Sequence, residues 1–205
     1  QELLLKLLQR YLITGEMDTR NLAHFIYIGE RGLPKPYQEC INSFRTKHPG
    51  WQIKLWTTKD ANRILKEEKF NFYSNDTFIN RYNFVKYNIL AKEGGWYIDL
   101  DIQWKRSIEE IYNDKLKDRK FPDMFVPVRQ YANEKEIDYK RNDDMLIYAK
   151  KGLFNGLLEY INEREDYDFS KRYEPYGPVS LSRWIHSKDL DKVYLYEKEI
   201  QTNGY

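Results

Sequence analysis

Two hydrophobic periods alternate along most of the chain. Short apolar runs rich in β-branched and aromatic residues predict β-strands, whereas longer segments with apolar residues three or four positions apart predict amphipathic helices. The predicted strands cover residues 22–28, 51–57, 96–98, 124–128, 145–149 and 193–196. The predicted helices cover residues 2–13, 37–47, 59–68, 77–92, 152–164 and 179–186, with Thr58 as the N-cap of the third. Strands that alternate with helices in this way predict an α/β sheet with helices on both faces.

One predicted helix, the fourth, has the clearest pattern. Phe78, Tyr82, Val85 and Ile89 fall at helical spacing on one face. Asn83 and Lys86 are three residues apart and project together from another side of the same helix. These two polar side chains therefore become candidates for a site next to whatever follows the helix.

The most informative stretch follows that helix directly. Gly94 and Gly95 lead into the short strand 96–98, which ends at Asp99 and Asp101. Two carboxylates this close repel each other unless a cation lies between them, and their hard oxygens suit Mg²⁺ or Mn²⁺. An ion with few protein ligands completes its shell with water and substrate phosphates. The alternative is a solvated pair in an acidic loop, but the flanking residues are apolar, so we favour a metal-assisted site for a diphosphate-bearing substrate.

Composition excludes several other classes of function. The chain of 205 residues has 32% charged side chains and a net charge of +2, with no long basic run. This balance argues against a dedicated nucleic-acid binder. No apolar run approaches the roughly 20 residues that span a membrane, so we expect no membrane segment in this chain. The single cysteine, Cys40, excludes an internal disulfide framework and is read as a small buried hydrophobe in a helix.

We expect a single domain over residues 1–205, with residues 1–15 forming an N-terminal helix docked on it. The chain starts inside this helix and stops without a terminating pattern, which suggests a portion of a longer protein. One cysteine and no signal peptide favour a cytoplasmic location. The charged stretch of residues 113–120 is predicted to be a solvated loop.

Four segments, in their order along the chain, match a known pattern: Leu22–Gly29, Asn83–Tyr87, Gly94–Asp101 and Tyr176–Leu181. They resemble the glycosyltransferases with a DXD sugar-binding region. That group includes family 32, with the Och1-type and capsular-polysaccharide transferases, and the related catalytic domains of large clostridial glucosylating toxins. The resemblance implies the GT-A fold, a single domain whose mixed, mainly parallel nucleotide-binding sheet is flanked by helices. It also implies a nucleotide-sugar donor and Mn²⁺, or Mg²⁺, as the cofactor.

The resemblance assigns roles to the residues at two strand ends. It implies that Asp101 binds the metal directly, and that Asp99 contacts the ribose or donor sugar and helps to orient the metal shell, so both count as metal-binding and catalytic residues. Tyr27 matches the aromatic position that stacks on the base in the toxin branch, with Ile26 and Ile28 flanking it in the donor site. The alternative for Tyr27 is an ordinary strand aromatic.

The helix before the glycines departs from the family pattern. Where the family has Ser-Asp-x-x-Arg, this chain has Tyr82-Asn83-Phe84-Val85-Lys86. Asn83 replaces an Asp that binds donor-sugar hydroxyls, and its amide can both accept and donate. Lys86 replaces an Arg that faces phosphate and sugar oxygens; it keeps the charge but loses the bidentate fork. We expect both in the donor site, with Lys86 also catalytic, although a solvated helix face would explain the pair without the neighbouring motif.

Three further places in the sequence carry weaker indications. Asn142 and Asp143 precede a predicted strand and either approach the donor sugar or cap a loop. Gly177 and Pro178 resemble the family's turn on the acceptor side, and a plain helix-start turn is the alternative. His186 is either a late ligand or a structural histidine.

These features predict a metal-dependent glycosyltransferase that moves a hexose from a nucleotide diphosphate sugar to a hydroxyl of a glycan or protein, as in polysaccharide biosynthesis. Tyr27 favours a UDP-sugar such as UDP-glucose. The resemblance implies retention of the anomeric configuration, and a front-face displacement is the preferred form. Three alternatives stay open: a GDP-mannose-dependent transferase, an inactive module that binds a nucleotide sugar or glycan, and a metal-dependent phosphohydrolase or nuclease, which would need more acidic or histidine ligands.

Overall fold

A computed structural model describes residues 19–70, 78–116, 119–128, 145–164 and 176–196. The strands in these ranges form one sheet in the order β2-β1-β3-β5-β4-β6. They are β1 (Leu22–Ile26), β2 (Gln52–Trp56), β3 (Gly95–Ile98), β4 (Met124–Val128), β5 (Leu146–Ala149) and β6 (Lys192–Tyr196). β1 lies parallel to β2 and β3, and β4 lies parallel to β6, whereas β5 runs antiparallel to β3 and β4. The mixed, mainly parallel sheet predicted from the sequence is confirmed.

The helices pack on both faces of this sheet. They are α1 (Lys35–Lys47), α2 (Thr58–Glu67), α3 (Phe78–Glu93), α4 (Ile108–Leu116), α5 (Asn155–Asn162) and α6 (Pro178–Ser187), within the residues described. Buried residues of α2, α3, α5 and α6 share one hydrophobic cluster, and those of α1 and α4 share the other. The result is the three-layered α/β architecture that the alternating pattern predicts.

Alternate residues of each strand supply the two clusters, as the period of two in a β-strand requires. In β3, Tyr97 faces the cluster of α3, whereas Trp96 and Ile98 face the cluster of α1. Trp96 is fully buried and stacks on Phe125 of β4, with ring centres 5.2 Å apart. β3 is therefore held from both faces, and this fixes the place where its carboxyl end emerges.

The prediction of a solvated loop at residues 113–120 is wrong for its first part. α4 continues to Leu116, which is buried together with Ile108 and Ile111 against the face of the sheet that α1 also covers. The charged side chains between these apolar positions hide the helical spacing from a reading of composition alone. The predicted N-terminal helix lies outside the described residues and stays a prediction, as does the single domain over residues 1–205.

Other boundaries differ from the predictions by a few residues. β1 ends at Ile26 rather than at residue 28, and α5 begins at Asn155 because residues 151–154 form turns. The N-cap of α2 is Thr57, not Thr58: the carboxylate of Asp60 accepts hydrogen bonds from Thr57 N at 2.9 Å and Thr57 Oγ1 at 2.8 Å. Within the described part of the chain, no helix has the length and apolarity to cross a membrane.

Candidate active site

The carboxyl ends of β1, β2 and β3 lie at one edge of the sheet because the three strands are parallel. Tyr27 follows β1 there, and Asp99 follows β3. The crevice outside the carboxyl ends of such strands is where open α/β sheets bind their ligands. Two of the segments singled out in the sequence are therefore neighbours in space.

The two glycines before β3 are required by close approach of the backbone. Gly95 has a φ of +94°, and a Cβ built on it would lie 2.7 Å from Leu22 O of β1. Gly94 has a φ of +66°, and its Cβ would lie 2.6 Å from Lys151 N. Gly94 N also donates to Leu90 O at 3.0 Å, which ends α3. The glycine pair thus allows α3 to stop and β3 to press directly against β1.

A buried histidine holds this entry. His24 is fully buried in β1; its Nδ1 accepts from Trp56 Nε1 at 3.1 Å, so its Nε2 carries the hydrogen and donates to Gly94 O at 2.7 Å. Burial lowers the pKa of His24 to about 4, which keeps the ring neutral and this arrangement intact at neutral pH. His24 therefore links β2, β1 and the glycine turn.

The two aspartates lie in different environments. Asp99 is half-buried, and its backbone N–H donates to Met145 O at 2.8 Å, which anchors it beside β5. The hydroxyl of Tyr97 donates to Asp99 Oδ1. Burial and the nearby charge of Asp99 raise the pKa of Tyr97 well above its usual value, so the phenol stays a donor. Asp101 is exposed on the turn that follows.

Lys86 is buried beside Tyr97, the tyrosine whose hydroxyl donates to Asp99. Only 2% of Lys86 is exposed, and its Nζ lies 4.6 Å from the ring centre of Tyr97. The rings of Tyr87 and Tyr82 follow at 5.7 and 6.0 Å. Cation–π attraction of this kind offsets part of the cost of burying an ammonium group. The alternative of a solvated helix face is wrong, because Asn83 is also buried.

Asn83 connects α3 to the turn that starts α6. Its Nδ2 donates to Tyr176 O at 3.2 Å, one residue before Gly177 and two before Pro178. The sequence placed Asn83 on the donor side and this turn on the acceptor side, and the structure brings the two into contact. The donor and acceptor roles themselves stay predictions.

Tyr27 lies at the mouth of the crevice and is half-buried. Its N–H donates to Trp56 O at 2.8 Å, and its phenol lies so close over Gly29 that a Cβ there would be 2.6 Å from the hydroxyl oxygen. Ile26 is fully buried in the core and Ile28 is partly buried against it. Tyr27 and Ile28 are thus both partly exposed whereas Ile26 is not, and base contact stays a prediction for Tyr27.

The segment after Asp101 is held by Ser43 of α1 and by His48, which directly follows α1, and the sequence did not indicate either contact. Trp104 N donates to Ser43 Oγ at 2.9 Å, and Ile108 N donates to His48 Nε2 at 2.7 Å. Burial lowers the pKa of His48, so its Nε2 stays available as an acceptor. Ser43 and His48 are about sixty residues from their partners, and no local spacing marks such pairs.

Cys40 and the remaining predicted residues add little to the crevice. Cys40 is half-buried rather than buried, and partial burial together with the charge of Asp101 raises the pKa of its thiol. His186 is exposed in the last turn of α6. Asn142 and Asp143 lie outside the described residues, so their roles stay predictions.

The carboxylates present suit a cation that also binds a substrate. Among the described residues, no group of three or more His, Cys, Asp or Glu side chains could hold a metal ion. Asp99 and Asp101 are two hard ligands at a strand end, one of them exposed. Mg²⁺ and ions like it are commonly bound by one or two carboxylates plus water and substrate phosphates. The donor set therefore fits a metal that arrives with a diphosphate.

Comparisons with known proteins agree with this geometry. Residues 34–119 match the glycosyltransferase sugar-binding region containing the DXD motif. Inositol phosphoceramide mannosyltransferase 1 of Schizosaccharomyces pombe is 30% identical over 105 residues, which cover 47% of this chain and 33% of that protein. Mannosyl phosphorylinositol ceramide synthase SUR1 of Saccharomyces cerevisiae is 33% identical over 85 residues, covering 38% and 22%. The matched segments thus span a third or less of these curated relatives.

The fold has a solved counterpart. The PaToxG Glycosyltransferase structure superposes with a TM-score of 0.56 at 13% identity, covering 82% of this chain and 69% of that one. At this identity the likeness concerns the fold alone. Residues 34–119 thus resemble the DXD-containing sugar-binding region of the glycosyltransferases, and the α/β fold around the aspartates at the end of β3 is of the type seen in the PaToxG Glycosyltransferase.

Proposed function

We propose that this domain transfers a hexose from a nucleoside diphosphate sugar to a hydroxyl acceptor, with a divalent metal bound at Asp99 and Asp101. One observation carries the proposal: the carboxylate pair lies at the carboxyl end of β3, beside the parallel β1 and a buried lysine. Carboxylates recruit the cation, and the cation with Lys86 makes the crevice attractive to a diphosphate.

The two aspartates have separate roles in this proposal. Asp101 is exposed and would be the direct ligand of Mn²⁺ or Mg²⁺. Asp99 has one carboxylate oxygen held by Tyr97 and would orient the metal shell and contact the ribose or sugar. When bound, the metal supplies neutralisation of the charge that develops on the leaving diphosphate. Lys86 adds a positive charge in a buried place, where water screens it little.

The sugar would lie between α3 and the start of α6. Asn83 is bonded to Tyr176 O there, so one end of the proposed sugar site adjoins Gly177 and Pro178 on the proposed acceptor side. A hydroxyl of a glycan or protein entering beside this turn would be close to the anomeric carbon. Retention of configuration by a front-face displacement belongs to the same proposal and rests on the resemblance to retaining transferases.

The donor has two candidates. A UDP-sugar is favoured by Tyr27 at the end of β1, which resembles the base-stacking position of the toxin branch. GDP-mannose is the second candidate, because both curated relatives are named for mannosyl transfer. Those names also make the hydroxyls of inositol phosphoceramide a reasonable acceptor to include. The cytoplasmic location and a role in polysaccharide biosynthesis stay predictions.

Nucleotide release from UDP-glucose and GDP-mannose, with Mn²⁺ or with EDTA, tests the proposal. We expect Mn²⁺-dependent release that Asp101→Ala reduces by about 10²-fold or more. Asp189→Ala is the matched control, because Asp189 is an exposed carboxylate beyond α6, and its activity should equal that of the wild type.

Product analysis separates the rival functions. Mass spectrometry should find the hexose on an added acceptor together with a nucleoside diphosphate, whereas a phosphohydrolase would cleave the diphosphate itself and release a nucleoside monophosphate and a sugar phosphate whatever acceptor is present. Binding of a donor without turnover of any donor tested would favour the inactive binding module and refute the transferase.

A further inference from the structure

A chain of hydroxyl groups connects the end of β1 to Asp99. The hydroxyl of Tyr82, on α3, donates to Ile26 O at 3.1 Å and lies 2.9 Å from the hydroxyl oxygen of Tyr97. Tyr97 in turn donates to Asp99 Oδ1. Tyr82 therefore contacts Ile26, the last residue of β1, directly, and it is connected through Tyr97 to Asp99, the residue after β3.

The direction of these hydrogen bonds follows from counting hydrogens. Each tyrosine has one hydroxyl hydrogen, and an ionised carboxylate only accepts. The hydrogen of Tyr97 is used by Asp99, so the hydrogen of Tyr82 points toward both Ile26 O and the Tyr97 oxygen, as in a three-centre bond. The hydroxyl of Tyr82 thus fixes the position of the Tyr97 hydroxyl, which in turn donates its hydrogen to Asp99.

The rings themselves leave this chain little freedom. Tyr97 is fully buried, and the ring of Tyr82 meets it edge-on, with centres 6.4 Å apart and planes at 77°. Lys86 Nζ lies over both rings, at 4.6 Å from Tyr97 and 6.0 Å from Tyr82. Phenylalanine at residue 82 could fill the same space, so any function specific to tyrosine belongs to its hydroxyl.

We propose that Tyr82 is a positioning residue that sets the orientation of the Asp99 carboxylate through Tyr97 and ties it to the strand end that precedes Tyr27. The inference rests on the proposed function, in which Asp99 serves the metal and the donor. Tyr82 then supports metal-dependent nucleotide binding without contacting either ligand, in the way outer residues orient the ligands of a metal.

A double-mutant cycle separates positioning from a merely structural role. We would measure UDP and GDP binding by calorimetry, with MnCl₂ and without metal, for Tyr82→Phe, Asp99→Ala and the double variant. Tyr82→Phe should weaken Mn²⁺-dependent nucleotide binding by about 10-fold. In the Asp99→Ala background the same change should alter binding by less than about twofold, because the carboxylate that Tyr97 orients has been removed.

Tyr160→Phe is the matched control. Tyr160 lies on α5, and its phenol oxygen accepts a hydrogen bond from Arg164 Nη1 at 2.6 Å, so this variant also removes a hydrogen-bonded phenol oxygen. It should not change nucleotide binding, either alone or in the Asp99 variant. Equal weakening by Tyr82→Phe with and without Asp99 would overturn the inference, and so would no weakening at all.

The same cycle in urea unfolding, without any ligand, keeps the inference testable if Asp99→Ala abolishes binding. Non-additive changes in the free energy of unfolding for Tyr82→Phe and Asp99→Ala support the connection, and additive changes overturn it. If wild type binds neither nucleotide with Mn²⁺, the proposed function fails, while the unfolding cycle still decides whether Tyr82 holds Asp99.

Discussion

Gly95→Ala adds a single methyl group at the point where β3 presses against β1. The new Cβ would lie 2.7 Å from Leu22 O and 3.2 Å from the Cβ and Cγ atoms of Leu22, whereas ordinary contacts begin near 3.4 Å. The nearest atom is a backbone oxygen within the sheet, so it cannot move aside as the end of a flexible side chain would. The backbone at Gly95 also has a φ of +94°, which alanine adopts only with strain.

The cost can be assembled from these parts. A left-handed backbone costs a residue with a Cβ about 1–2 kcal/mol. Forcing a methyl group into a filled space costs roughly 1–3 kcal/mol more. Alanine also restricts the unfolded chain, which returns about 0.4–1 kcal/mol. We therefore expect Gly95→Ala to lower the free energy of unfolding by about 2–4 kcal/mol.

Urea unfolding of three alanine variants measures the separate contributions. Gly152 has a φ of +86° but no neighbour within 4 Å of a built Cβ, so Gly152→Ala should show the backbone cost alone, about 1 kcal/mol. Gly32→Ala, with open space and no positive φ, should be nearly neutral. If Gly95→Ala is no more destabilising than Gly152→Ala at an equal m-value, the argument from close approach of the strands is refuted.

Three further predictions concern a buried histidine, a buried lysine and a helix cap. The pKa of His24 is about 4 in the folded chain and 6.5 in the unfolded chain, so between these pH values the unfolded chain binds one proton more than the folded chain. The free energy of unfolding should therefore fall by on the order of 3 kcal/mol as the pH drops through this window. Urea unfolding of His24→Gln at several pH values should lack this part of the pH dependence. Lys86→Met should leave the melting temperature within a few degrees of the wild type or raise it, and it should lower turnover by about 10²-fold. Lys86→Arg, which keeps the charge, should lose less activity. An equal loss of turnover in both variants would argue against a role for the charge. Thr57→Ala should lower the free energy of unfolding by about 1 kcal/mol without changing turnover, because Thr57 caps α2 together with Asp60.

The parts of the site that could be predicted are those encoded within a few consecutive residues. Gly94, Gly95, Asp99 and Asp101 follow one another in a segment whose apolar strand has no competing interpretation. Helix α3 was also predictable, because its apolar spacing is regular, but the prediction that Phe78 belongs to its buried face is wrong, since this side chain at the first residue of the helix is exposed. Local sequence determines a glycine turn or a strand end directly, so the order of elements and the place of the carboxylates could be predicted.

Contacts between distant segments could not be predicted in this way. Nothing at the end of α1 marks His48, the residue that follows it, as the acceptor for Ile108 N, and nothing within α3 marks Asn83 as the donor to Tyr176 O. The burial of Lys86 was missed for a related reason, since a charged residue on a helix is normally solvated. These features depend on which faces of the sheet the helices cover, and a single hydrophobic period does not specify that.

The residues that hold Asp99 and the segment after Asp101 lie on opposite faces of the sheet, and this difference is relevant to the separate roles proposed for the two aspartates. Asp99 is held by Tyr97, whose ring lies in the cluster of α3, whereas the segment after Asp101 is held by Ser43 of α1 and by His48, which follows α1. Asp99 is thereby fixed by a side-chain bond at the carboxylate itself, while Asp101 is exposed on a turn whose anchors lie farther along the loop. In the proposed function, the fixed carboxylate would keep its orientation while the exposed one would adjust to a cation that enters with its substrate. The supports therefore favour Asp101 as the direct metal ligand and Asp99 as the fixed one.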